Sequence, residues 1–248
     1  MKKFFLSLVL VVLAVTPALA EQALVAVAAN FIGPFRDITT EFEKTTGHNL
    51  QTASGSSGSF TTQIKNGAPF DVFFSADSER PKLLEDEGLG VKGSRFTYAI
   101  GRLVLWSPDS DLVKGEDTLR SGKFKHLAMA NPKSAPYGVA AMQAMQKLGV
   151  WESVQPRIVM GESLGQTIGF VESGNAELGF LALSQVLDPK LKGTGSRWDV
   201  PNELHEPIQQ DVVLLTKGKD NPAAKALMEF MGGPIARAII ERYGYELK

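Results

Sequence analysis

The sequence predicts an α/β fold with mostly parallel sheets, and three observations support this class. Short apolar runs typical of buried strands alternate with segments whose apolar residues recur at helical spacing. The alternation begins near Ala23 and restarts near Thr97. Loops rich in small residues follow several of the strands, at the sheet edge where α/β proteins bind ligands.

The elements follow in order along the chain. A buried strand over residues 23–28 precedes a helix over 35–44, in which Phe35, Ile38 and Phe42 have helical spacing and which ends at Gly47. A short helix over 59–66, a strand over 70–75 and a helix over 82–87 complete the first set. The second set comprises strands over 97–106, 128–130, 157–160, 178–183 and 208–215, with helices over 137–148, 164–172, 223–231 and 234–243.

The first twenty residues have the pattern of a secretory signal peptide. Lys2 and Lys3 form a basic start, an apolar run covers residues 4–15, and an A-x-A cleavage site ends at Ala20. The apolar run is short for a membrane anchor, which is the alternative interpretation. We therefore expect cleavage after Ala20, a mature chain from Glu21 and a periplasmic location, which the absence of cysteine fits.

Composition narrows the possible functions. The formal net charge is −1, and no basic face is visible in the sequence, so nucleic acid is not an expected partner. Residues 21–248 are numerous enough for one large core or two modest ones. Without cysteine, neither a disulfide framework nor a thiolate metal site exists.

Two segments predict an anion site made of neutral groups. Residues 28–31 and 52–59 each follow a short apolar or β-branched run and precede a predicted helix, so each places free backbone N–H groups at a positive dipole end. Asn30 and one of the serines can add side-chain donors, whereas neither segment contains Lys or Arg. Counting residues 131–138 and 160–165, four such loops occupy the carboxyl ends of strands.

The same segments carry a resemblance to a known family. Its motifs, in order, are AAN at residues 28–30, SGSSG at 54–58, NGAPFDVFFSAD at 66–77, YAIGRLVLW at 98–106, NPKSAPYG at 131–138 and GFLALS at 179–184. In this ordered set the chain resembles the periplasmic molybdate-binding proteins of ABC transporters, over essentially all of its mature length.

The resemblance implies a two-lobed periplasmic binding protein fold of type II, with the ligand between the lobes. The first lobe is expected to comprise residues 21–98 and 206–248, the second residues 99–205, and the leader residues 1–20. Two crossover strands, near residues 96–102 and 205–211, would join the lobes and allow closure. The resemblance also implies a monomer that delivers its ligand to the permease of an ABC importer.

Carried over residue by residue, the family's ligand positions fall on Asn30 and Ser57 in the first lobe. In the second lobe they fall on the backbone N–H groups of Tyr137 and Leu164. Ala29 and Ala182 stand where some relatives supply a Thr or a Tyr hydroxyl. The implied ligand is molybdate or tungstate, held through its oxygens, with no cofactor and no direct metal ligand from the protein. Glu162, beside this site, is expected to face solvent or its own helix N-terminus.

Three alternatives remain open at this stage. Gly161-Glu162-Ser163-Leu164-Gly165 matches the nucleophile elbow of serine hydrolases, for which Asp188 or Asp199 and then His205 would complete a triad. A binder of another oxyanion such as sulfate is the second. A sugar or amino-acid binder is the third, although the four loops show neither stacking aromatics nor a carboxylate-pairing Arg.

Overall fold

The computed structural model describes residues 20–247, so nearly all of the predicted leader lies outside the described residues. The strands are β1 Gln22–Ala28, β2 Asn49–Gly55, β3 Val72–Phe74, β4 Phe96–Gly101, β5 Leu103–Ser107, β6 Leu127–Ala130, β7 Ile158–Gly161, β8 Leu178–Ala182, β9 Ser196–Asp199 and β10 Ile208–Leu214. The helices are α1 Ile32–Thr46, α2 Ser57–Lys65, α3 Glu79–Asp86, α4 Asp117–Ser121, α5 Pro136–Lys147, α6 Trp151–Val154, α7 Leu164–Glu172, α8 Leu183–Val186, α9 Pro222–Gly232 and α10 Pro234–Arg242. None of the helices in this range is long and apolar enough to cross a membrane.

The described strands form two five-stranded sheets, one in each lobe. The first has the order β2-β1-β3-β10-β4, and every strand except β10 runs in one direction. The second has the order β7-β6-β8-β5-β9, and every strand except β5 runs in one direction. The predicted α/β class with mostly parallel sheets and two lobes is confirmed, and each sheet is mixed because of one reversed strand.

Two extended segments connect the lobes. One is β4 with Arg102 and β5, and the other runs from His205 into β10. The two segments pair with each other, with Ile208 opposite Gly101 and Gln210 opposite Ala99. Because β4 belongs to the first sheet up to Gly101, sheet membership changes at Arg102, four residues beyond residue 98, where the first segment of the first lobe is predicted to end.

Each lobe has its own apolar core. In the first, α1 buries Phe35, Ile38 and Phe42 against the sheet, as the helical spacing predicts, and Gly47 ends the helix with a φ of 74°. A smaller cluster around Phe60 and Phe73 fills the other face of that sheet. The second lobe has one larger core under α5 and α7.

Candidate functional site

Four helix starts meet at one small cavity between the lobes. They belong to the 3-10 helix Ala29–Phe31 and α2 in the first lobe, and to α5 and α7 in the second. The cavity is small, with a volume of about 10 Å³. Because unpaired N–H groups and positive dipole ends face it from both lobes, the cavity is suited to an anion.

The lining of this cavity is neutral. It consists of small or uncharged residues, namely Ala28, Ala29, Asn30, Gly55, Ser56, Ser57, Ala76, Ala135, Pro136, Tyr137 and Leu164. The four residues predicted as ligands are all in this set, and no described lining residue carries a charge. Any anion here would therefore be bound by hydrogen bonds rather than by ion pairs.

Ser57 is placed to donate its hydroxyl proton into the cavity. The side chain is 1% exposed, and Oγ accepts a hydrogen bond of 2.9 Å from the N–H of Ala76. This bond uses a lone pair of Oγ and leaves the proton available for a ligand. Local sequence sets this position, because Ser56 caps α2 by accepting from the N–H of Ser59 and so starts the helix at Ser57.

Asn30 lines the cavity, but its side-chain amide is hydrogen-bonded to other residues of the protein. Its Nδ2 donates to Oε1 of Gln210 at 2.7 Å and to the hydroxyl of Tyr245 at 3.0 Å, which occupies both amide hydrogens. The expectation that the Asn30 side chain donates to an anion therefore stays a prediction, because in this arrangement both amide hydrogens bond within the protein. The donor that Asn30 can offer is its backbone N–H, in the first turn after β1.

The second-lobe donors are backbone groups in the first turns of α5 and α7. Pro136 occupies the first position of α5, so the N–H of Tyr137 is the first one that this helix presents. In α7, Ser163 is the N-cap and accepts from the N–H of Gln166 at 3.4 Å, which leaves the N–H of Leu164 at the cavity. Neither N–H has an intrahelical acceptor, because each lies in a first turn.

The lobes also touch each other beside the cavity. The N–H of Gly58 donates to the carbonyl of Ser134 at 2.9 Å, and Arg80 donates to the carbonyl of Lys133 at 3.3 Å. Glu162 is exposed and accepts from the Asn131 amide at 3.1 Å, so it faces solvent as expected. Ala29 lines the cavity and brings no hydroxyl, while Ala182 is buried at the end of β8 outside the lining.

A buried hydrogen-bond network lies behind the cavity, and no pattern in the sequence predicts it. Tyr98 donates to Gln210 at 2.9 Å, Gln210 donates to the Tyr137 hydroxyl at 3.2 Å, and the hydroxyls of Ser184 and Tyr245 lie 2.9 Å apart. Burial raises the pKa of Tyr98 and of Tyr137 well above the ordinary phenol value, and burial also raises the pKa of Tyr245 to about 12. The network is therefore uncharged at neutral pH and does not repel an anion.

The residues of the alternative serine triad are not brought together. Ser163 caps α7, Asp188 pairs with Arg36 at 3.1 Å, and Asp199 pairs with Arg197 at 3.1 Å. His205 contacts the carbonyl of Glu206 through Nδ1, and its buried Nε2 has no partner among the described residues. The GESLG motif thus serves as a capped turn.

The described residues also contain no cluster of three or more His, Cys, Asp or Glu that could hold a metal ion.

Comparison with known proteins identifies the family. A model of bacterial extracellular solute-binding proteins matches residues 23–246. The chain belongs to this family.

Among solute-binding relatives, the molybdate-binding protein ModA of Azotobacter vinelandii is 54% identical over 93% of this chain and 92% of its own. ModA of Rhodobacter capsulatus is 49% identical over 92% of this chain and 90% of its own. The solved structure of the A. vinelandii periplasmic molybdate-binding protein covers 91% of this chain and 99% of its own, with a TM-score of 0.88 and 42% identity. These likenesses extend over both lobes and the cavity between them.

Proposed function

We propose that this solute-binding protein captures molybdate, and tungstate equally, in the cavity between its lobes and delivers it to the permease of an ABC importer. Two relatives that share about half of its residues over nearly the whole chain are named as molybdate-binding proteins. The molybdenum would arrive as an oxyanion, so the protein needs to bind only its oxygens, with no cofactor and no direct metal ligand.

The observation that carries this proposal is the neutral cavity at four helix starts. A tetrahedral dianion has acceptor oxygens on all sides, and donors that approach from both lobes match that distribution. Hydrogen bonds to a charged group are stronger than those between neutral groups.

Each of the four predicted residues has a defined role in the proposal. Ser57 donates through Oγ, because one lone pair of Oγ accepts from the N–H of Ala76 and the hydroxyl proton remains available. Tyr137, Leu164 and Asn30 donate through backbone N–H groups. A backbone donor cannot be removed by side-chain substitution, so Ser57 is the residue at which the ligand contact can be tested most cleanly.

The remaining parts of the proposal concern location and partners. A leader cleaved after Ala20 would direct the chain to the periplasm. The solved relative from A. vinelandii is likewise described as periplasmic. There the protein would act as a monomer and present its closed form to the permease at the inner membrane. No catalytic step is part of this function.

The test is calorimetric titration of the mature chain, from Glu21 onward, with molybdate and with tungstate. The expected result is saturable binding of one anion per chain, with comparable affinity for the two ligands. A folded protein that binds neither anion would overturn the proposal. The hydrolase alternative is tested in parallel with an activated ester, where hydrolysis that is lost in Ser163→Ala would favour the enzyme.

A further inference from the structure

Gln210 lies outside the cavity lining but at the junction of the two lobes. It belongs to β10, in the second crossover segment, and its side chain is fully buried. The pairing of β10 with β4 shifts register between Gln210 and Asp211, so the backbone is irregular at this residue. The amide is buried at a strand irregularity between the lobes. Each of its polar atoms needs a hydrogen-bond partner there, because a buried polar atom without one destabilises the folded protein.

The amide of Gln210 connects one wall of the cavity to the other. Its Oε1 accepts from Asn30 of the first lobe at 2.7 Å and from the hydroxyl of Tyr98 at 2.9 Å. Its Nε2 donates to the hydroxyl of Tyr137 of the second lobe at 3.2 Å. Asn30 and Tyr137 both line the cavity, so a single side chain joins the residues that face each other across it.

The space around this connection is closely filled. A Cβ atom added to Gly101, on the neighbouring β4, would lie 2.1 Å from the Tyr137 hydroxyl and 2.5 Å from Nε2 of Gln210. Neither contact could be accommodated without a shift, so the first crossover holds the amide and the phenol in place. A packed amide that is hydrogen-bonded to both walls therefore lies between them.

We propose that Gln210 is a positioning residue that sets the separation of the two cavity walls and thereby determines which size of oxyanion is accepted. The inference rests on the proposed function, because size selection matters only if a tetrahedral oxyanion is the ligand. Gln210 acts through Asn30 and Tyr137 and does not touch the ligand. Loss of its hydrogen bonds should let the donors shift, so that they fit a large anion less well and a small anion no worse.

The test compares Gln210→Leu with Gln209→Leu in the mature chain. Both remove an amide from adjacent positions of β10, but Gln209 donates to Thr97, which does not line the cavity. Calorimetry gives the dissociation constants for molybdate and sulfate, and thermal unfolding without ligand gives the effect on stability. For Gln210→Leu we expect molybdate affinity and the molybdate-to-sulfate affinity ratio to fall by about tenfold or more, while Gln209→Leu keeps the ratio of the unsubstituted protein.

A second variant keeps the test decisive if Gln210→Leu does not fold. Tyr137→Phe removes only the hydroxyl that Gln210 contacts and preserves the ring and the backbone N–H; it should also lower the affinity ratio. A purely structural role would lower the melting temperature and leave the ratio unchanged, and that result in the folded variants would overturn the inference. If the unsubstituted protein binds no molybdate, the proposed function fails instead, so the two failures are distinguishable.

Discussion

At the scale of single residues, Ser57 provides the most direct test of the binding site. Ser57→Ala removes the one side-chain hydroxyl that we assign to the ligand, and a hydrogen bond to a charged group contributes about 1.5–3 kcal/mol. Molybdate affinity should fall roughly ten- to a hundredfold, as measured by calorimetry. Ser59→Ala is the matched control, since Ser59 is exposed two residues further along α2. Equal affinities of both variants and the unsubstituted protein would mean that the site is misplaced.

Burial of the tyrosine hydroxyls leads to a prediction about the free energy of unfolding at high pH. The pKa of Tyr245 is about 12 in the folded protein against 10.0 for a free phenol, with burial as the main cause. The unfolded chain therefore loses this proton first, so the stabilisation is complete below pH 10 and is lost as pH rises toward 12. Urea unfolding should show a free energy of unfolding that declines above pH 10, by up to about 1.4 kcal/mol for each unit of raised pKa.

Tyr245→Phe is the control for that decline. It removes one of the ionising groups, so the variant should lose less stability between pH 10 and pH 12 than the unsubstituted chain, even if it is less stable at pH 7. A decline of the same size in both proteins would show that Tyr245 remains titratable in the folded state and is not protected by burial.

At the scale of elements, the contact of α2 with the second lobe depends on a glycine. A Cβ atom on Gly58 would lie 2.9 Å from Cα and 3.0 Å from the carbonyl oxygen of Ser134, both backbone atoms. Gly58→Ala should therefore keep the lobes from closing fully and weaken molybdate binding by about tenfold or more. In the open, ligand-free protein the same substitution should preserve or increase stability, because alanine favours helix over glycine by about 0.5–1 kcal/mol.

These opposite effects are measured by calorimetry and by thermal unfolding without ligand. Gly169→Ala in α7 is the control, because nothing lies within 4 Å of a Cβ atom added there. It should leave affinity unchanged. Unaltered molybdate affinity in Gly58→Ala would show that closure at Ser134 is not required for binding.

The elements also show how far the sequence could predict the fold. α7 was predicted over residues 164–172 and is observed there, because Ser163 and the apolar spacing define it locally. The strand predicted over residues 97–106 is instead divided into β4 and β5 at Arg102. β5 is buried throughout, and β4 is buried at Tyr98, Ala99 and Gly101. Apolar residues therefore continue on both sides of Arg102, and no local pattern marks where the chain passes from one sheet to the other.

As with the fold, part of the candidate site could be predicted from the sequence and part could not. The loops were recognisable because small residues precede helices, the four ligand positions within them followed from the family resemblance, and all four line the cavity. The hydrogen bonds that the Asn30 amide makes within the protein were not predictable, since its partners Gln210 and Tyr245 are 180 and 215 residues away. A hydrogen-bond network among residues so distant in the chain depends on tertiary structure and has no spacing pattern.

At the scale of the whole molecule, ligand binding should stabilise the closed arrangement of the lobes. In the proposed function, donors from both lobes would contact the same anion, so the ligand would bind the closed form better and shift the population toward it. Small-angle scattering should show a smaller radius of gyration with molybdate than without it. If the radius does not change in a sample whose binding is confirmed by calorimetry, the hinge between the crossovers does not move.

The central claim is that neutral donors fixed on two lobes select an anion by size. Molybdate and sulfate share charge and shape, but sulfate is smaller and would leave some donors unpaired, at about 1–3 kcal/mol for each. Two or three unpaired donors give discrimination on the order of a thousandfold. Phosphate carries a proton at neutral pH, and a site made only of donors has no acceptor for it.

Competition calorimetry at neutral pH tests this claim most directly, with molybdate titrated into protein that already contains excess sulfate or phosphate. The account predicts that neither anion measurably weakens molybdate binding, whereas tungstate, nearly the same size as molybdate, competes on equal terms. Similar dissociation constants for sulfate and molybdate would contradict selection by size and would make the protein a general binder of tetrahedral dianions.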